Sequence, residues 1–176
     1  MKSLLLIYTL LFTQALNWIS YADKESAFTA YFPAKPVTKE KIIRTDIGET
    51  MINTVFLASA PDSTQNSLYL LNYYKLDEII FFGDSAMTKQ DYLLNTLNNI
   101  KDNLNAELLY SNPTTDKGCP TVIYRLELQK GDKVMKGKLI LSNSYFYSLQ
   151  VFSTKKYSLN KNMDKFLDSF SFKTCD

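Results

Sequence analysis

The groups in this chain that could do chemistry are carboxylates, hydroxyls and two cysteines, because its 176 residues include no histidine. The absence of imidazole excludes the serine and cysteine mechanisms that use histidine as a base, and it excludes histidine-ligated zinc. Carboxylates remain suitable for acid–base catalysis or for binding a hard metal ion. The candidate carboxylates are Asp23, Glu25, Asp46, Glu49, Asp62, Asp77, Glu78 and Asp84.

The spacing of these carboxylates does not indicate a catalytic or metal site. None recurs at a known ligand interval, and the adjacent Asp77 and Glu78 would diverge in a strand. The five glycines lie too far apart for a phosphate-binding loop. We therefore expect no catalytic residues, no cofactor and no bound metal. We interpret the carboxylates as a solvated surface, and the twelve tyrosines as strand residues that also suit binding surfaces.

The overall charge excludes a nucleic-acid partner bound by electrostatics. Twenty Lys and Arg against 18 Asp and Glu leave a net charge of +2, with no basic stripe. Apolar residues make up 45% of the chain, which is enough to bury a core and excludes intrinsic disorder.

Residues 1–15 have the features of a secretory signal peptide. Lys2 supplies a positive start, and the apolar run over residues 4–12 (LLLIYTLLF) is too short to span a bilayer. Cleavage after Ala15 would leave residues 16–176 as one secreted or periplasmic domain. Two alternatives remain: cleavage after Ala22, and an uncleaved membrane anchor. No second long apolar run follows, so we expect no membrane span after signal removal.

The segment from Cys119 to Ser153 predicts three consecutive antiparallel strands. Apolar and polar residues alternate with the period of two that is typical of half-buried strands. Gly131-Asp132 and the segment 142–144 supply the two turns.

Five further strands are predicted before this meander. The one at 68–76 is apolar on both faces, which is typical of a central strand covered on both sides. Pro113 is expected to end the last of them, and residues 114–118 then link it to the meander. These strands are predicted over residues 28–32, 37–44, 51–58, 68–76 and 108–110.

Two helices are predicted from apolar spacing and capping residues. The first begins at Thr88, ends near Asn105, and carries one apolar face. The second is capped near Ser158 or Asn160. The apolar residues of the two helices are Leu93, Leu97, Ile100 and Leu104, and Met163, Phe166, Leu167 and Phe170. Before the first helix, residues 79–82 (IIFF) suit either a loop that closes the core or a lip that grips a ligand.

Several short motifs together resemble the PsbP-like superfamily. Trp18, Tyr21 and the segment 28–36 (FTAYFPAKP) are similar to the opening of its small bacterial secreted members. Later similarities are Gly118-Cys119-Pro120, Gly131-Asp132, the segment 147–151 (YSLQV) and the segment 166–170 (FLDSF). The superfamily includes the periplasmic protein DcrB and shares its fold with the Ran-binding nuclear import factor.

This resemblance implies an α+β fold, an antiparallel sheet flanked by helices in a PsbP-like α/β/α sandwich. It places Trp18 inside the domain, which favours signal cleavage after Ala15 over cleavage after Ala22. It also carries the end of the chain back towards the sheet, which would bring Cys119 near Cys175. Since an oxidising compartment favours pairing, we expect a Cys119–Cys175 disulfide, the alternative being two unpaired thiols.

The resemblance supplies no catalytic residues, because known members mostly bind other proteins. We therefore expect an extracytoplasmic, non-enzymatic binding or assembly protein whose partner is a protein. Two alternatives are a carrier of a small apolar ligand and a carboxylate-dependent hydrolase. A flat tyrosine-rich face would favour the first function, a deep dry pocket the second, and a pocket with convergent carboxylates the third.

Overall fold

The computed structural model of the chain describes residues 18–45, 48–58, 65–76, 81, 87–128, 132–142 and 144–175. The predicted signal peptide therefore lies outside the described residues, as do most of the IIFF segment and the turn centres at 46–47, 131 and 143. No helix within the described ranges is both long and apolar enough to cross a bilayer.

Nine strands and two α-helices form the described fold. The strands are β1 (Ile19–Asp23), β2 (Phe28–Phe32), β3 (Val37–Thr45), β4 (Gly48–Ala58), β5 (Asn66–Lys75), β6 (Ala106–Asp116), β7 (Cys119–Leu128), β8 (Lys133–Ser142) and β9 (Tyr145–Thr154). The helices are α1 (Lys89–Asn103) and α2 (Lys161–Asp168), and a short 3₁₀ helix spans Lys155–Tyr157.

Seven of the strands form one antiparallel sheet in the order β3-β4-β5-β9-β8-β7-β6. The predicted meander is β7-β8-β9, and the doubly apolar strand is β5, which lies inside the sheet as expected. The strands β1 and β2 form a separate antiparallel pair. β3 and β6 are the edges of the large sheet.

The two faces of the large sheet bury separate apolar clusters. α1 packs over β6, β7 and β8, where Leu93 and Leu97 lie against Val122, Tyr124 and Leu126. The opposite face is covered by α2 and the β1-β2 pair, whose side chains join those of β5 and β9. The buried apolar residues of this second cluster from β2, α2 and the C-terminal segment are Phe28, Ala30, Phe32, Met163, Phe166, Leu167, Phe170 and Phe172. This is the predicted α+β fold, an antiparallel sheet flanked by helices.

Both helices begin at the residues that their sequences indicate. The Asp91 amide donates to the Thr88 side-chain hydroxyl at 3.0 Å, which satisfies one of the free amides at the start of α1. The Met163 amide donates to Asn160 Oδ1 at 3.0 Å and caps α2 in the same way. Of the two caps considered for α2, Asn160 is the one used.

The prediction that Pro113 ends its strand is wrong. β6 continues through Pro113 to Asp116, and only Lys117-Gly118 turns the chain into β7. Proline is tolerated because β6 is an edge strand, where a missing amide hydrogen does not interrupt a second ladder. The strand predicted at 68–76 begins two residues earlier than expected, since Asn66 and Ser67 belong to β5.

Candidate functional site

An open cleft with a volume of about 930 Å³ lies on the α2 side of the sheet. β3, β4 and β5 form its floor, and β1 with the turn that follows it forms one wall. Leu76, Ser144 and Tyr145 close one end. The cleft exists because the sheet extends sideways beyond the β1-β2 pair, which covers only its centre.

The alternation of strand side chains decides which groups face the cleft. On β4, Met51, Asn53 and Val55 share the cleft side, because successive residues point to opposite faces. The register places Glu40 opposite Asn53 on one side and Tyr73 opposite Asn53 on the other. The floor therefore carries polar, acidic and aromatic side chains in adjacent positions.

Asp23 is the most strongly bound polar group in the cleft wall. Its Oδ1 accepts hydrogen bonds from the Ser26 amide at 2.8 Å and from Ser26 Oγ at 2.5 Å. Its Oδ2 accepts one from the Tyr73 hydroxyl at 3.0 Å. Burial alone would raise the pKa of Asp23, but these hydrogen bonds outweigh it and hold the pKa below its usual value.

Three tyrosine rings form a ladder beside this carboxylate. Tyr147 stacks on Tyr73 with ring centroids 6.5 Å apart, and on Tyr145 at 6.1 Å. The Tyr147 hydroxyl donates to the Ser26 carbonyl oxygen at 2.7 Å. Burial, hydrogen bonds and the nearby phenol of Tyr21 and carboxylate of Asp23 all raise the pKa of Tyr73, so its hydroxyl stays protonated.

Negatively charged side chains outnumber positively charged ones around the cleft. Glu25 and Glu40 are exposed carboxylates with no ion pair among the described residues. Lys75 is an exposed ammonium that lines the same cleft. Lys39 also borders the cleft, but its ammonium lies 5.3 Å from the centroid of the Phe56 ring on the opposite face. Glu49 is paired with Arg44 at 2.8 Å. The cleft is thus negative overall.

Three of the candidate carboxylates from the sequence meet in this cleft: Asp23, Glu25 and Glu49. The other five, Asp46, Asp62, Asp77, Glu78 and Asp84, lie outside the described residues. Within the described ranges, no three acidic, cysteine or histidine side chains are grouped so that they could hold a metal ion. Sequence reasoning missed Glu40, Ser26 and the individual tyrosines, although the period of two in β3 to β5 would have placed several of them on one face.

Cys119 and Cys175 form a disulfide, with their Cα atoms 5.1 Å apart. The bond lies outside the cleft and ties the C-terminal segment to the start of β7. The same segment is held by the Cys175 amide, which donates to the Lys117 carbonyl at 3.1 Å, and by paired backbone bonds between Ser171 and Thr29 at 2.8 Å. The disulfide therefore fixes the C-terminal segment, whose Phe170 and Phe172 side chains are buried.

Known proteins resemble this chain in fold and not in sequence. No family model matches it, and no curated protein sequence matches it. A protein of unknown function from Pseudomonas aeruginosa, described as a putative regulator, is 16% identical with a TM-score of 0.41, covering 66% of this chain and 84% of that one. The solution structure of cyanobacterial PsbP (CyanoP) from Synechocystis sp. PCC 6803 has a TM-score of 0.58 at 8% identity, covering 92% of this chain and 96% of that one. The expected PsbP-like fold is therefore confirmed.

Proposed function

We propose that this protein is a non-enzymatic binding protein that acts outside the cytoplasm and holds a segment of a partner protein in the cleft. The observation that carries the proposal is the set of hydrogen bonds that Asp23 accepts. Its two oxygens already accept three hydrogen bonds, from Ser26 and Tyr73, so the group is committed to building the cleft wall.

A hydrolytic function is less well supported by the same contacts. A general base works best with a pKa near the working pH, and the hydrogen bonds to Asp23 shift its pKa in the opposite direction. Ser26 Oγ donates to that carboxylate at 2.5 Å, but a carboxylate held below its usual pKa is a poor acceptor of the serine proton.

A carrier of small apolar ligands is also less well supported. Such carriers enclose a dry cavity, whereas this cleft is open and lined by carboxylates, hydroxyls and amides. A smaller cavity of about 180 Å³ next to it also contains polar and charged lining residues, among them Ser142, Ser144, Glu25 and Lys173.

The composition of the cleft suits a protein partner. Tyrosine supplies large contact area with few rotatable bonds and is enriched at the energetic centres of interfaces. Tyr21, Tyr73 and Tyr145 line the cleft, and the exposed pair Ile42 and Met51 adds an apolar patch on the same face of β3 and β4.

An extracytoplasmic location is supported by two features. The Cys119–Cys175 disulfide is the kind of bond that persists in oxidising compartments. The apolar run of residues 4–12 and the small residues before position 16 suit export, followed by release of residues 16–176 as one domain.

Site-specific photo-crosslinking in the source cell tests the proposed function. A benzoylphenylalanine placed at Met51 on the cleft floor should capture a discrete protein adduct. The matched control carries benzoylphenylalanine in place of Leu159, which is 84% exposed. Leu159 follows the Thr154 end of β9, whereas Tyr145 at the other end lines the cleft. Adduct formation from Leu159 alone, or equally from both positions, would contradict binding in the cleft.

A further inference from the structure

The two edges of the large sheet differ in how they are protected against strand addition. β6 carries Pro113 and a register irregularity between Leu108 and Tyr110. Proline, bulges and lysine side chains are means by which an edge strand avoids pairing with another chain. β3 has no proline and runs for nine residues in unbroken register with β4, so its protection is the charge of Lys39 and Lys41. β3 is therefore a regular template for a further strand that carries the complementary charge.

The side chains around β3 are left uncovered by the described fold. Val37 is 53% exposed, Ile42 is 59% exposed, and Met51, directly opposite Ile42 on β4, is 49% exposed. An added strand would remove part of this apolar surface from water, which favours association. In the described structure, β3 pairs with β4 alone, so the backbone groups along its outer edge have no strand partner.

Charged side chains lie on both faces of β3. Glu40 lies on the cleft side, as does Arg44, which is paired with Glu49, whereas Lys39 and Lys41 lie on the opposite side. Opposite charges directly across two strands stabilise the pair, and like charges destabilise it. A strand that suits this edge presents basic side chains towards the cleft and acidic side chains on the other face.

A second copy of the same chain suits this edge in few registers. In an antiparallel pairing of β3 with itself, residues on the same face lie opposite one another, so a pair centred on Lys39, Glu40 or Lys41 brings like charges together. A pair centred on Ile42 instead sets Glu40 opposite Arg44, which is already paired with Glu49. A dimer of the free domain in sedimentation, with β3 amides protected at the dimer contact, would therefore overturn the proposal below.

We propose that the outer edge of β3 binds an extended segment of the partner protein, whose lysine or arginine side chains enter the cleft. This inference rests on the proposed function and adds the chemistry of the partner. The exposed carboxylates of Glu25 and Glu40 line the cleft beside the hydrogen-bonded Asp23, and the ammonium of Lys75 is the opposing charge. Nearby tyrosine rings can stabilise a cation through their faces. Burial of Tyr145, with the negative charges of Glu25 and Asp23 nearby, raises its pKa, in keeping with a cleft that attracts cations.

A peptide titration followed by NMR tests this proposal on the whole folded domain. The probe is the blocked hexapeptide Lys-Glu-Lys-Glu-Lys-Glu, which presents one basic and one acidic face when extended. The control is Lys-Lys-Lys-Glu-Glu-Glu, of identical composition, in which each face is mixed. We expect saturable shifts of β3 amides with the probe, slower hydrogen exchange along β3, and weaker binding of the control. Equal binding of the two peptides, or shifts that map to β6, would overturn the proposal.

Charge reversal supplies the second arm of the test. Glu40→Lys should weaken probe binding by at least about threefold, the loss expected from reversing an exposed pair. Glu107→Lys, on the other edge strand, should leave it unchanged. Unaltered affinity of Glu40→Lys for the probe peptide would overturn the proposal. The proposal would also be overturned if spermidine bound as tightly as the peptide, because the ligand would then be a free polyamine. Crosslinking at Met51 without peptide binding would refute strand addition alone and leave cleft binding intact.

Discussion

The hydroxyl of Tyr73 donates a hydrogen bond to Asp23 Oδ2 at 3.0 Å, and this bond joins the seven-stranded sheet to the β1-β2 pair. Asp23 is thereby fixed as one wall of the cleft while Tyr73 belongs to its floor. The geometry of the cleft depends on this contact between two residues that are 50 positions apart in the chain.

Replacing Asp23 should destabilise the fold in a pH-dependent way. The pKa of Asp23 is lower in the folded state than its ordinary value of 3.8. Its charged form therefore stabilises the folded protein at pH values above 3.8. This contribution is lost as the pH falls through the pKa of the folded state. Asp23→Asn should cost about 1.5–3 kcal/mol at pH 7, the range for hydrogen bonds to a charged group.

Urea unfolding from pH 7 to pH 3 measures this difference. The gap between wild type and Asp23→Asn should shrink below about pH 4. Glu107→Gln, an exposed carboxylate on β6, is the control and should track the wild type. A gap that stays constant over the whole range would show that the charge of Asp23 plays no part.

Only one face of helix α1 should contribute to the stability of the fold. Leu97 is 2% exposed in the cluster under α1, and Leu97→Ala should cost about 2–5 kcal/mol in unfolding free energy. Lys101 lies off this face, and Lys101→Ala should cost under about 0.5 kcal/mol. Denaturant unfolding compares the two, and similar losses would mean that the buried face is misassigned.

Gly137 on β8 should not tolerate a side chain. It lies opposite Tyr124 on β7, and a Cβ at this position would overlap the buried Tyr124 ring. Gly137→Ala should therefore cost about 1–3 kcal/mol through overpacking. The cost should fall when the same change is made in a Tyr124→Leu background, measured as a double-mutant cycle. An unchanged cost in that background would show that the ring is not the cause.

The disulfide should account for much of the stability of the C-terminal segment. Its residues are 56 positions apart, and in the chain-entropy model a loop of this size contributes up to about 4 kcal/mol. The double variant Cys119→Ala/Cys175→Ala should lose stability up to that amount, measured by thermal or denaturant unfolding. In the non-reduced wild type, denatured without reductant, a thiol assay should find no free thiol. Two titratable thiols in freshly purified, non-reduced protein would contradict the bond.

Local patterns in the sequence predict the elements of this fold well. The period of two in β7, β8 and β9, and the spacing of Leu93 and Leu97, each reflect one buried face, which a single sequence records directly. Pro113 misled the prediction because its effect depends on whether a strand lies at an edge, and strand order is a property of the whole sheet.

The candidate site could be predicted only in part for a related reason. Asp23, Glu25 and Glu49 were recognised as available carboxylates, but their meeting in one cleft depends on where the β1-β2 pair packs on the large sheet. Glu40 was missed because one charged residue among several on an exposed strand has no distinguishing local signal. Its role depends on the alternation that points Lys39 and Lys41 to the opposite face.

The measurement that tests the central claim most directly is partner capture after the cleft has been filled. Asn53 lies on the cleft floor opposite Glu40 and Tyr73, and Asn53→Trp would occupy that space with a residue that suits a strand. The variant should carry the photo-crosslinker at Met51 and should first be shown to unfold at the wild-type temperature. A matched variant, Leu159→Trp, adds the same ring outside the cleft. The account predicts that the Met51 adduct is lost in Asn53→Trp and retained in Leu159→Trp; an undiminished adduct in the folded Asn53→Trp protein would contradict it.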